Sequence, residues 1–236
     1  MRTSVNIARY HMVRPVIYLG LPWAIMAFDF LVNLVIFTLI PRGGPVAAHN
    51  PAHHDTGAIA AIYVFFFIMG VFAIGQSLPF GLTLGVSRRS YYTGTTLLAV
   101  TLAAADGLAL TLLQVIERAT GGWGVGMHFF RVPYILDGPW YLTWLTSFVA
   151  LVLVFGYGMW FGLAYRRWKL LGTVTFLAAQ VTVVLAIALV IRWAHAGPGL
   201  GHFFSTLSAA GLTGLLAALA ALLFAGGYAT VRRVTV

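Results

Sequence analysis

The chain contains no cysteine. Disulfides, thiolate zinc sites, iron–sulfur clusters and cysteine nucleophiles are therefore excluded, and the usual guide to redox compartment is missing. Charge is nearly as scarce. Asp, Glu, Lys and Arg make up 8% of the 236 residues, where soluble domains carry about 25%. A sequence that is 61% hydrophobic with so few charges cannot clothe a water-facing surface, and its composition is that of a membrane protein. Acidic residues number 5 against 14 basic ones, for a net charge of +9. In a soluble protein that balance would point to nucleic acid. Here the basic residues fall between apolar blocks, where they report topology instead. Lys169 is the single lysine, and the wealth of Arg, Ala, Gly and Val reads as the coding bias of a GC-rich bacterial genome.

Enzyme signatures are also missing. No G-x-x-x-x-G-K-[ST] occurs, so the chain is not expected to bind ATP through a P-loop of its own. Neither H-E-x-x-H nor G-x-S-x-G occurs, which removes the common zinc-protease and serine-hydrolase readings. No catalytic residue and no cofactor bound by this chain is expected. Internal repeats, low-complexity segments and linkers are absent too, so residues 1–236 read as one domain.

What the sequence does have is long apolar blocks. A helix needs about 20 mostly apolar residues to cross the hydrocarbon layer. Six blocks meet that length, at 16–40, 57–78, 92–116, 140–165, 170–191 and 203–224. They are continuous and lack the period-two alternation of barrel strands, so the expected fold is an all-α integral membrane protein with six transmembrane helices. The opening stretch "MRTSVNIARYHMVRP" is basic and runs into the first block without a small-residue cleavage pattern, which reads as a retained span rather than a signal peptide. Arg2, Arg9, Arg14, Arg88, Arg89, Arg166, Arg167, Lys169, Arg232 and Arg233 fall on one side of this arrangement, and Arg42, Arg118, Arg131 and Arg192 on the other. The positive-inside rule then puts both termini in the cytoplasm of a multi-pass protein of a bacterial cytoplasmic membrane.

Three groups of residues are candidates for function. The first is "HNPAHHD", with His49, His53, His54 and Asp55, whose imidazoles and carboxylate suit zinc, copper or nickel. Asn50 and Pro51 make the stretch a loop, and a solvated histidine-rich loop without metal is the plainer reading. The second is a pair of carboxylates near mid-membrane, Asp29 and Asp106, with Asn33 one turn from Asp29 and Gln180 on another span. Such groups are costly in lipid and mark either a translocation path or a hydrogen-bonded helix-packing network. Small residues recur every fourth position at Ala210, Gly214 and Ala218 and at Gly158 and Gly162, a pattern that lets helices approach closely and specifies no function.

The third is the inner connection "PFGLTLGVSRRSYYTG". Pro79 is expected to end or kink the second span, and Ser87 to cap a new helix beginning at Arg88. Arginines in a first turn oppose the helix dipole, so Arg88 and Arg89 call for an anionic partner. Lipid headgroups and an aromatic belt of Tyr91 and Tyr92 would account for these residues but not for the apolar piece before them. An apolar knob rimmed by charge is what a docking element needs.

With its basic amphipathic N-terminal segment 1–15, six spans, and "PFGLTLGVSRRSYYTGTTL" between spans two and three, the sequence resembles the membrane subunits of ABC-2 type transporters. The resemblance implies a permease of an ATP-driven exporter. It implies that Pro79, Phe80, Leu82, Leu84, Gly85, Ser87, Arg88 and Arg89 form a cytoplasmic coupling element that docks on a separate ATP-binding subunit, which holds the ATP and magnesium. A second permease subunit, identical or homologous, would complete the path. Family members commonly carry short re-entrant helices between spans five and six, where this chain has the brief "WAHAGPGLGHFF". Two other functions fit the residues: an ATP-independent secondary transporter using Asp29 and Asp106 as a proton relay, and a membrane-anchored sensor or assembly protein reading metal or pH through its histidine loop.

Overall fold

The computed structural model describes residues 20–39, 56, 59–132, 138–195 and 197–231, apart from the side chains at 200, 204 and 205. The N-terminal segment 1–15, the histidine-rich loop with His49, His53, His54 and Asp55, and Arg232 and Arg233 lie outside the described residues. Every regular element among the described residues is a helix: α1 (Leu21–Leu39), α2 (Ala60–Phe72), α3 (Leu78–Thr83), α4 (Arg88–Ala119), α5 (Trp140–Trp193), α6 (Gly197–Thr206) and α7 (Ala209–Val231). Five are long and apolar enough to cross a membrane, with α2 and α3 counted as one helix over Ala60–Thr83. Helix is what an apolar medium imposes, because only intra-segment hydrogen bonds satisfy the backbone there. Threonine hydroxyls follow the same logic. Those of Thr101, Thr111, Thr146 and Thr182 each donate to the carbonyl four residues back, at 2.8–3.0 Å.

Run α5 spans 54 residues, but its helical geometry breaks at Lys169 (φ 55°, ψ −142°). The rings of Phe161 and Phe176 lie 5.1 Å apart, and the Tyr157 hydroxyl bonds the Gln180 side-chain oxygen. In a continuous helix residues 161 and 176 would be about 22 Å apart along the axis. The two limbs, 140–168 and 170–193, therefore fold back on each other as a hairpin.

The expected helix boundaries shift at two places. Pro79 does not end its helix: α2 passes through a π-helical turn at Ala73–Ser77 and continues through Pro79 to Thr83. Proline lacks the N–H that an α-helix would need at that position, and the wide turn just before it falls where the α-helical ladder is already broken. The sixth apolar block does not start at 203. Residues 197–206 form the separate short helix α6, and α7 begins at Ala209 and runs to Val231. Ser208 starts it, its hydroxyl oxygen accepting from Gly211 N–H at 3.1 Å.

The tightest packing joins α2 to the first limb of α5. A methyl group at Gly158 would strike the Phe67 carbonyl, one at Gly70 the Phe155 carbonyl, and one at Gly162 would lie 2.8 Å from the Val71 carbonyl. Glycine at these positions is what brings the two backbones together. Phe66, Ile74, Leu110, Leu151 and Phe155 fill the core around this crossing. The second limb of α5 faces outward, and residues 181–190 are exposed throughout. An apolar surface of that extent suits lipid or another membrane helix.

Contacts among helix ends sort the bundle into two poles. Tyr92, at the start of α4, donates to the Phe224 carbonyl and lies 5.9 Å from the Tyr228 ring, while Trp160 donates to the Leu223 carbonyl. Arg88, Arg89, Arg166, Arg167 and Lys169 thus gather at one pole with the end of α7. At the other pole the Thr56 N–H donates to the His128 carbonyl, and Glu117, Arg118 and Arg131 are nearby.

Candidate functional site

At the arginine pole, α3 ends in a Schellman turn. Gly85 N–H donates to the Leu82 carbonyl (3.0 Å) and Val86 N–H to the Gly81 carbonyl (3.1 Å), with Gly85 at φ 78°, a conformation that favours glycine. The next helix starts at once, and Ser87 caps it as expected, with extended backbone and its hydroxyl oxygen accepting from Ser90 N–H at 3.2 Å. Residues 79–85 are thus not a free-standing loop element. They are the last helical turns of a long helix and its tight reversal into α4.

Tyr91 and Tyr92 do not form an interfacial belt, since both are buried. The Tyr91 hydroxyl donates to the Ala73 carbonyl at 2.7 Å, at the start of the π turn where the α-helical pairing of carbonyls is disturbed. The Tyr91 ring lies 2.8 Å from where a methyl group at Gly81 would stand, so α3 rests directly on that ring. This leaves Phe80 (51% exposed) and Leu84 (62% exposed) projecting from a rigid corner, with Leu82 and Arg88 half-buried and Arg89 exposed beside them. The eight residues from Pro79 to Arg89 singled out in the sequence therefore share one corner.

The mid-membrane candidates do not come together. The Asn33 amide donates to the Asp29 carbonyl (2.9 Å) and to its carboxylate (3.1 Å), both within α1. Asp106 is 3% exposed, and its Oδ1 accepts from the Trp23 indole N–H at 2.9 Å, which joins α4 to α1. Its Oδ2 is buried without a hydrogen-bond partner. Gln180 belongs to the α5 hairpin through Tyr157. No hydrogen bond joins Asp29 to Asp106 among the described residues.

The sequence reading missed Glu117. It sits in the last turn of α4, is 2% exposed and lies at the centre of the opposite pole. Its Oε2 accepts from the Trp123 indole N–H (3.0 Å) and from the backbone N–H groups of Phe129 and Phe130 (2.9 Å each), and its Oε1 from Arg131 N–H (3.1 Å). A carboxylate at a helix C-terminus is opposed by the dipole, so these four donors offset a local penalty as well as burial. The loop reaches it by way of "GGWGVG", where Gly121, Gly122, Gly124 and Gly126 all have positive φ and Trp123 itself sits at φ 59°. A left-handed tryptophan is strained by about 1–2 kcal/mol. Its indole bond to Glu117 and its edge contact with Phe30, at 4.9 Å between ring centroids, hold it there.

Around this carboxylate is a cavity of about 220 Å³ lined by Arg118, Gly121, Gly122, His128 and Arg131 together with Glu117. Below it, toward the middle of the bundle, lies an apolar groove of about 260 Å³ between α1, α4 and the loop. No group of three or more His, Asp or Glu side chains placed to hold a metal ion occurs among the described residues. No protein-family model, no curated protein and no solved structure matches this chain.

Proposed function

We propose that this chain is the permease subunit of an ABC-2 type exporter, in which a separate ATP-binding subunit docks on the pole that carries Arg88 and Arg89. The observation that carries the reading is the corner between α3 and α4. Two large apolar side chains, Phe80 and Leu84, stand exposed beside Arg89 on a backbone fixed by the Schellman turn, the Ser87 cap and the buried Tyr91. A subunit that receives force needs a stiff lever, and the same Tyr91 and Tyr92 tie this corner to the π turn and to α7. ATP binding would bias the bundle between two arrangements through that corner.

In this reading each limb of α5 crosses the membrane, giving six spans with both termini cytoplasmic, and the chain pairs with a second permease subunit. Helix α6 occupies the stretch between the fifth and sixth spans where ABC-2 permeases commonly carry short helices. Asp29, Asn33, Asp106 and Gln180 serve helix packing, in keeping with their local partners. The paired substitutions Arg88→Glu and Arg89→Glu test the assignment. ATPase co-purification from the native host should fall several-fold, with membrane insertion and melting temperature unchanged. If no ATPase accompanies the wild-type chain, the reading fails.

A further inference from the structure

We propose that one phospholipid of net negative charge binds in the cleft between the α5 hairpin and the end of α7, its phosphate on Arg167 and an acyl chain against Trp160 and Phe176. This inference stands independently of the exporter reading. It rests on a pole whose cations meet no carboxylate, above an apolar cleft that runs inward along the helices.

The cleft has a volume of about 330 Å³, within the range of about 300–1,000 Å³ typical of small-molecule sites. Trp160, Leu163, Ala164 and Arg167 of the first limb follow one another at the spacing of a single helix face, and Phe176 of the second limb and Thr230 of α7 complete the walls. The polar atoms of those walls are bound to backbone. The Trp160 indole N–H donates to the Leu223 carbonyl (3.0 Å) and the Thr230 hydroxyl to the Gly226 carbonyl (2.8 Å), which leaves Arg167 as the one charged group of the lining. A methyl group at Gly226 would lie 3.0 Å from the Trp160 ring, so α7 rests against that ring and fixes this wall.

The mouth of the cleft is cationic. Arg166, Arg167 and Lys169 stand together where the hairpin turns, and Arg167 and Lys169 are exposed. No carboxylate side chain stands at this pole among the described residues: Asp29 lies in mid α1, Asp106 in mid α4, and Glu117 at the opposite pole. Arg166, Arg167 and Lys169 accordingly make no ion pair among the described residues. The Arg167 guanidinium lies instead over the Trp168 ring, 4.7 Å from its centroid. A guanidinium stacked on a ring face keeps its edge N–H groups for a second partner, and its planar fork matches phosphate oxygens. The floor is apolar and lies deeper. Trp160 is seven residues before Arg167 and Phe176 seven after Lys169, so each limb carries the cleft about 10 Å inward. A soluble anion would leave that depth without contact, and an uncharged hydrocarbon would leave the cations without a counter-charge. A protein docking from the water side would reach the cations but not the floor, whereas an anionic phospholipid matches both ends at once.

The test uses the full-length protein purified in non-ionic detergent, with native mass spectrometry to count retained lipid. The probes are phosphatidylglycerol, diacylglycerol with the same acyl chains, and inorganic phosphate. The wild-type chain should retain one phosphatidylglycerol at least about tenfold more tightly than diacylglycerol, the scale expected of charge-assisted hydrogen bonds. Inorganic phosphate should not displace it at equal concentration. Arg167→Gln should remove most of that preference and Arg167→Lys should keep part of it, while Thr230→Trp, which fills the cleft from α7, should weaken retention of both lipids. Arg192→Gln removes the same charge at the far end of the second limb and should leave the preference intact. Equal retention of the two lipids by the wild-type chain would overturn the proposal without recourse to any variant. Displacement by inorganic phosphate would replace it with a site for a soluble anion, and equal losses in the Arg167 and Arg192 variants would reduce it to unspecific charge. Undiminished preference in a folded Arg167→Gln variant that loses a co-purifying protein would overturn it in favour of protein docking.

Discussion

Glu117 and Asp106 are both buried carboxylates on α4, yet they are satisfied in opposite ways. Glu117 has four N–H donors drawn from a glycine-rich loop, whereas Asp106 has one indole donor and an oxygen without a partner. Replacing Glu117 with glutamine would turn an amide N–H₂ toward some of those N–H donors. Leaving them unpaired costs about 3 kcal/mol. The expected result for Glu117→Gln is a lower melting temperature in detergent, together with a red shift of Trp123 fluorescence as the loop opens. An unchanged melt would mean that the carboxylate does not organise the loop. The sequence made Asp29 and Asp106 legible through depth alone, because an acid inside an apolar block has to be explained. It hid Glu117, which stands at a block edge next to Arg118 and looks like an ordinary solvated acid. Its donors come from 6 to 14 residues later, and the only local sign was the run of glycines that lets the chain turn back.

At the scale of helices, hydropathy located the apolar blocks but could not place their ends. Pro79 reads as a stop, yet the π turn before it carries the helix on to Thr83. Capping serine was the better guide. Ser87 gave the start of α4, and Ser208 marks the start of α7 within what hydropathy reads as one span. Close approach was legible only as a spacing. Gly158 and Gly214 belong to similar small-residue patterns, but a methyl group at Gly158 meets the Phe67 backbone, whereas one at Gly214 meets nothing within 4 Å. Gly158→Ala should therefore force α2 from α5 and cost about 1–3 kcal/mol by overpacking. Gly214→Ala lies on an exposed helix face, where it should be neutral or stabilise by up to about 1 kcal/mol. Parallel thermal melts of the two variants check this, and equal losses would mean that Gly214 is also covered.

For the molecule as a whole, the docking corner with Arg88 and Arg89 stands at one pole and the glycine-rich loop around Glu117 at the other, so the assignment of side decides much of the function. The absence of cysteine makes that assignment directly measurable. Single cysteines at Thr83, Trp168 and Ala119 would all stand at exposed positions. The α5 hairpin places Trp168 at the pole of Thr83, since Trp160, Arg167, Trp168 and Thr230 line one cavity there and Tyr92 binds the same end of α7. Ala119, one turn beyond Val115 in the last turn of α4, stands at the other pole. With a membrane-impermeant thiol reagent on intact cells, Ala119→Cys should label, while Thr83→Cys and Trp168→Cys should label only after permeabilisation. The reverse pattern would turn Arg88, Arg89 and the docking corner to the outside, away from any cytosolic ATPase, and the exporter reading would fall with it. Opposite labelling of Thr83→Cys and Trp168→Cys would contradict the packing of the first limb of α5 on α2 and α7, which brings both residues to one pole.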